Sequence, residues 1–259
     1  MTSTGAAEEI LGEWTAINRA SGSAGSIHDD ATARKLGFRG GFVPGATLAG
    51  YACEGWRRRE GLTLDLRPFV LTIDLRAPVY EGEVARVKAR EDGGRWQWWI
   101  ETDSSGTTTT GTIDTAAQAM PADAPISTEP AFDGIDLGGI APIERRFDRA
   151  EVAAFYRDLL ATEVPDSGDL PVSPGMWCNP MTPVIARLNA THTTVHRSSE
   201  LLVERLPLAD LSYSLAIRVA GITPRGPGKG LVHVHCEVTD GDGRRLVLIQ
   251  HRSAVRRRD

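Results

Sequence analysis

The residues best suited to chemistry lie in one stretch, Ser21 to Gly45, which reads SGSAGSIHDDATARKLGFRGGFVPG. One imidazole, His28, is followed directly by two carboxylates, Asp29 and Asp30. Histidine titrates near neutrality, so a loop histidine beside an acid has the make-up of a general acid/base. A short Ala-containing stretch and a Gly-rich bend follow, and then Pro44-Gly45 opens the apolar run ATLAGYACEGW. A helix starting there presents unsatisfied N–H groups and the positive end of its dipole, which suits an oxyanion. Proton transfer coupled to charge building on a carbonyl oxygen is the chemistry that fits. His28 is the candidate acid/base. Asp30 either orients His28 or its loop, or caps the stretch ATARKLG. Gly45 is the candidate oxyanion donor, or a permissive residue at the turn into the helix.

These residues need a frame. Leu48, Ala49, Ala52, Cys53 and Trp56 follow helical spacing after Pro44-Gly45, and Arg57, Arg58 and Arg59 stand where a helix C-terminus favours cations. Strand-like segments come next: Phe69–Tyr80, Glu83–Glu91 and Arg95–Asp103, then a turn and TTTTGTID. A helix followed by antiparallel strands indicates an α+β fold. Residues 115–141 are rich in Ala, Pro, Asp and Gly and read as a linker region. This gives a first module over 1–120, a linker over 121–141 and a second module over 142–259.

The second half opens with Asp148 and Glu151 at capping-box spacing, ahead of a stripe of Val152, Phe155, Tyr156, Leu159 and Leu160. Another helix is expected from near Met181, with Pro183 in its first turn. Strands then return. In GLVHVHCEV, Val232, Val234, Cys236 and Val238 take one face, and His233, His235 and Glu237 the other. The halves echo each other. RAPVYEGEVARVKA parallels RLPLADLSYSLAI, and both halves carry Thr-Asp-x-x-Gly at a turn. Two copies of a helix plus an antiparallel sheet form a double hotdog, in which each sheet wraps its own long helix and the two sheets pair.

The Ser21–Tyr51 segment resembles the signature of MaoC-like, (R)-specific enoyl-CoA hydratases of the hotdog fold. Their loop commonly reads Gly-Asp-x-Asn-Pro-x-His-x-Asp; here Gly22 to Asp30 reads GSAGSIHDD. His28 and Asp30 match, as do Gly37-Phe38 and Pro44-Gly45. Ser23 stands where the family places its catalytic Asp, and Gly25-Ser26 where it places Asn-Pro. A serine hydroxyl has no useful basicity near neutral pH, although it could position a water. Three outcomes are open: His28 works alone, Asp29 or Asp30 is recruited, or the chemistry has changed.

The resemblance implies hydration or dehydration of an enoyl or 3-hydroxyacyl thioester of CoA or a carrier protein, without a cofactor. It implies His28, Asp30 and Ser23 as catalytic positions, and Phe42, Pro44, Gly45 and Tyr51 as substrate-binding ones. VHRSSE and QHRS in the second half resemble second modules of double hotdogs, with His196 and His251 flanking the pocket. A homodimer is expected by the same analogy. The alternatives are a lyase, isomerase or cyclase on a non-thioester molecule, and a non-catalytic acyl-binding module.

The remaining features narrow the field. A net charge of −5 argues against a broad nucleic-acid surface. The Arg252, Arg256, Arg257 and Arg258 cluster reads as a solvated chain end, or as a contact to a ligand phosphate. Cys53, Cys178 and Cys236 lack paired spacing, so neither zinc nor disulfides are indicated. His233 and His235 have no third metal ligand by spacing. Phosphate-loop and G-x-S-x-G motifs are absent. With no signal peptide or membrane span in the sequence, the expected setting is the cytoplasm.

Overall fold

The computed structural model describes residues 7–23, 25–64, 68–117, 119–120 and 130–258. The first half runs β1 (Glu9–Thr15), α1 (Asp30–Lys35), α2 (Gly45–Arg59), β2 (Phe69–Leu75), β3 (Val84–Asp92), β4 (Arg95–Thr102) and β5 (Gly106–Asp114). A small hairpin of β6 (Ala131–Phe132) and β7 (Ile135–Asp136) comes next. The second half runs β8 (Ile143–Arg146), α3 (Arg149–Ala154), α4 (Thr182–Leu188), β9 (His192–Val203), β10 (Ser212–Pro224), β11 (Lys229–Thr239) and β12 (Arg245–Arg257).

Ten strands form one antiparallel sheet in the order β1-β3-β4-β5-β2-β9-β12-β11-β10-β8. Each half therefore repeats one pattern: its first strand lies at the outer edge, then its third, fourth and fifth, with its second at the centre. The halves join where β2 meets β9, from Phe69 opposite Val203 to Asp74 opposite Ser198. The pairing removes an exposed edge from each half-sheet. Isolated bridges Phe42–Tyr80 and Pro171–Leu208 occupy matching places in the two halves. The repeat seen in the turn motifs is thus a repeat of topology, and the architecture is an α+β double hotdog.

Helix α2 is the axis of the first half. Its residues from Thr47 to Trp56 are all buried, so it is enclosed rather than amphipathic. Tyr51 stacks on Trp14 with ring centroids 5.2 Å apart, and Trp56 lies against Phe69. Buried Glu54 is held by Arg57, Arg58 and the Thr162 hydroxyl. Burial pushes its pKa up, but the hydrogen bonds from Arg57, Thr162 and Arg58 outweigh this and hold it below the usual glutamate value.

The second half departs from the expected long helix. The predicted stripe Val152, Phe155, Tyr156, Leu159 and Leu160 is buried, but α3 widens into a π-helical turn at Phe155–Leu159 and stops. Pro165, Pro171, Pro174, Pro180 and Pro183 interrupt the chain beyond that turn, and α4 has only seven residues. Strand β2 also stops earlier than expected, at Leu75, because Arg76 and Ala77 both donate to the Thr108 carbonyl and Pro78 has no N–H. Part of the expected linker, residues 121–129, lies outside the described residues. The part after it packs: Phe132 and Leu137 are buried. In β11 the anticipated alternation holds, with Val232, Val234, Cys236 and Val238 inward. No helix among the described residues is long and apolar enough to cross a membrane.

Candidate active site

The His28 loop is built by short-range hydrogen bonds. Asp29 caps α1, accepting from the Thr32 N–H at 2.9 Å and its hydroxyl at 2.8 Å. The cap is therefore Asp29 and not Asp30. Asp30 instead accepts from the Gly41 N–H at 2.8 Å and from Arg34 at 2.8 Å. It ties the Gly-rich bend to the loop, with both oxygens engaged. Gly41 must be glycine, since a Cβ there would lie 2.1 Å from the His28 carbonyl oxygen. Asn18 donates to that same carbonyl at 2.9 Å.

His28 is thereby fixed. Its Nδ1 lies 2.6 Å from the Phe42 carbonyl oxygen, which can only accept, so Nδ1 carries the proton. Nε2 is left as the basic atom, and no described residue hydrogen-bonds it. Burial pulls the ring's pKa below 6.5, opposed by the bond to Phe42. Phe42 is itself held by the bridge to Tyr80, and Val43 donates to Val79, so the carbonyl that aims His28 is anchored to the segment after β2.

His28 lines a cavity of about 360 Å³. Both halves build it. The first contributes Ile27, His28, Phe42, Pro44, Gly45 and Leu75; the second contributes Ile185 and the run from His192 to Arg197. His196, on β9, packs over the start of α2: a Cβ on Gly45 would lie 2.8 Å from its Nδ1 and 2.6 Å from Leu75 Cδ1. His196 is half-buried and lines the cavity. Its pKa is driven well below 6.5, first by burial, then by His251, opposed by a hydrogen bond to the Ser198 backbone, with His28 adding to the lowering. The structure thus gathers two neutral imidazoles and a helix N-terminus in one cavity.

The other sequence candidates are distributed differently. Ser23 is exposed and does not line the cavity. Tyr51 belongs to the core, stacked on Trp14, and does not line the cavity. His251 is 1% exposed and stacks behind His196 at 4.3 Å, touching the cavity only through its neighbours. Sequence reasoning missed His192 and Ser253, which also line the cavity, and Arg258, named only as part of the basic tail, lines it as well. Arg258 reaches from the chain end to the Gly25 carbonyl, Asn189 and Thr193. The basic tail was the available signal for it. Arg76, Arg197 and Arg258 are exposed at the lining, and no carboxylate lines the cavity among the described residues.

The sequence matches no protein-family model and no curated protein. Among solved structures, a Mycobacterium tuberculosis protein described as a double hotdog essential for survival during infection aligns with TM-score 0.69 and 11% identity, covering 97% of this chain and 96% of its own. A Chloroflexus aurantiacus protein described as a MaoC domain dehydratase aligns with TM-score 0.63 and 10% identity, over 98% and 95% of the two chains. A Lactobacillus plantarum protein described as an oleoyl thioesterase aligns with TM-score 0.54 and 10% identity, over 99% and 98%. At these identities the likeness is one of fold, and the fold of this chain is the double hotdog.

Proposed function

We propose that this protein is a hydratase/dehydratase acting on an enoyl or 3-hydroxyacyl thioester of CoA or a carrier protein. One observation carries the reading: a His28 tautomer fixed by the Phe42 carbonyl, in a cavity that the N-terminus of α2 also lines. In hydration, His28 Nε2 takes a proton from water as its oxygen bonds to the β-carbon. The π pair moves toward the thioester, and the developing enolate oxygen lies on the Gly45 N–H at the positive end of α2. The same imidazolium can return its proton to the α-carbon, completing a single-residue cycle without the absent carboxylate.

The cavity walls support this. Ile27, Phe42, Leu75 and Ile185 offer apolar surface for an acyl group. Exposed Arg76, Arg197 and Arg258 offer cations to the phosphates of a carrier. The open cavity counts against a purely structural module whose cleft is filled by side chains. Fold relatives described as a dehydratase and as a thioesterase make thioesters the common substrate class to test.

Purified protein is mixed with crotonyl-CoA and longer enoyl-CoAs, following loss of conjugated absorbance and, in parallel, release of free thiol. Loss of conjugation without thiol release, abolished in His28→Ala, is the expected result. Thiol release alone assigns hydrolysis instead, and no reaction with any chain length removes the hydratase reading.

A further inference from the structure

Behind the cavity wall lies a chain of buried polar groups that the single-residue cycle does not use. His196 Nε2 is 2.8 Å from Ser199 Oγ, which is 2.9 Å from His251 Nδ1; His251 Nε2 is 2.8 Å from Ser253 Oγ. Ser199, His251 and Ser253 are each 2% exposed or less, yet His196 and Ser253 both line the cavity. The chain therefore leaves the cavity at one residue and returns to it at another. Apolar side chains would fill this space at lower cost than two imidazoles and two hydroxyls.

Its polarity has two settings, according to which neighbour donates to one backbone carbonyl. The Cys178 carbonyl oxygen lies 2.7 Å from Ser199 Oγ and 3.0 Å from His251 Nδ1, and needs a proton from at least one of them. With the Ser199 hydroxyl donating to that oxygen at 2.7 Å, His196 Nε2 donates to Ser199 Oγ and its Nδ1 faces the cavity without a proton. When His251 Nδ1–H supplies the proton instead, shared with Ser199 Oγ, the Ser199 hydroxyl is free to donate to His196 Nε2. Ser253 then donates to His251 Nε2, and His196 carries its proton on Nδ1, the atom facing Gly45. Every link then donates in the same direction, from Ser253 toward the cavity face of His196.

We propose that His196 is a second catalytic residue, delivering the α-carbon proton, with Ser199, His251 and Ser253 positioned as the relay that refills it; this rests on the hydratase reading. As water adds to the β-carbon, His28 Nε2 takes one of its protons. The enolate α-carbon takes the His196 Nδ1 proton. His196 Nε2 takes the Ser199 proton, Ser199 takes that of His251 Nδ1, and His251 Nε2 takes that of Ser253. Ser253 is refilled from cavity water that accepts the His28 proton. One water is added and no ring in the relay is left charged, but His196 and His251 now hold their protons on Nε2. Once the product leaves, cavity water protonates His196 Nδ1, and the chain shifts back through Ser199 and His251. Ser253 returns a proton to that water, which restores the starting tautomers. Burial keeps both relay rings neutral, His251 down to about 4, which suits a chain that shifts protons without holding charge.

The test uses the intact protein with crotonyl-CoA, and exchange of the α-proton of 3-hydroxybutyryl-CoA with D2O. His196→Gln and Ser199→Ala are each expected to lower kcat about 100-fold with KM within about threefold, and to slow α-proton exchange in parallel. Ser199→Thr, which keeps the hydroxyl, restores most of the rate. Far-UV circular dichroism and unfolding midpoints accompany each variant, and Ser253→Ala gives a second, smaller break in the chain should His196→Gln fail to fold. If the parent hydrates crotonyl-CoA and the folded variants stay within about threefold of its kcat, the relay is overturned while the hydratase reading stands. If the parent does not hydrate, both fall together.

Discussion

Gly45→Ala adds one methyl group where α2 meets the cavity, and its consequences can be worked from the geometry. The new carbon would lie 2.6 Å from Leu75 Cδ1 and 2.8 Å from His196 Nδ1. Comfortable carbon contacts lie at about 3.5–4.0 Å, so both neighbours must retreat by roughly 1 Å. Leu75 has side-chain torsions to spare. His196 does not: Ser199 Oγ holds its Nε2 at 2.8 Å, and His251 is stacked on it at 4.3 Å. Overpacking of this kind costs about 1–3 kcal/mol, and alanine's better helix propensity returns at most about 1 kcal/mol.

Alanine keeps its N–H, so the oxyanion donor survives the substitution. Any loss of rate therefore reports the displaced imidazole, and a misplacement of about 1 Å is worth roughly 100-fold. Urea unfolding and initial rates with crotonyl-CoA measure the two effects. Adding Leu75→Ala removes one of the two contacts, so it should recover part of the stability and little of the rate. A Gly45→Ala protein as stable and as active as its parent would refute the close approach of β9 to α2.

His28→Ala should lower kcat/KM by about 10²–10⁴, read from the loss of conjugated absorbance. Because burial holds His28 below 6.5 and its neutral ring is the base, kcat/KM should be flat through neutral pH and fall on the acid side; an acid limb centred above 6.5 would contradict that. His251 takes a proton at about 4 when folded and near 6.5 when unfolded, so the unfolded chain binds more protons between these values. Stability should rise with pH across that window, by about 3 kcal/mol, and level off above it. His251→Gln should flatten the slope in urea titrations, and an unchanged slope would show that the ring is not buried neutral. Asp30→Asn keeps an acceptor for the Gly41 N–H and should alter hydration by less than about threefold, whereas a 100-fold loss would make Asp30 catalytic. Ser23→Asp should gain nothing, because that side chain lies outside the cavity; a gain in hydration rate would place it inside.

Local chemistry made much of this protein legible in its sequence. The apolar run after Pro44-Gly45 and the arginines at its end specify α2, because capping, periodicity and dipole are properties of neighbours along the chain. The alternation of Val232, Val234, Cys236 and Val238 specifies an inward strand face for the same reason, and the Thr-Asp-x-x-Gly turns disclosed the repeat. His28 and Gly45 could be paired because they lie close along the chain, separated only by α1 and the Gly-rich bend. Assignments that hang on a single residue of register or on distant partners needed the folded chain. Asp29 rather than Asp30 caps α1, and Ser23 faces solvent although a motif alignment places it at the catalytic position. His196 reaches Gly45 only because β2 and β9 join two half-sheets edge to edge. That pairing is non-local: it is set by backbone hydrogen bonds between strands from opposite halves of the chain, which no window of sequence contains.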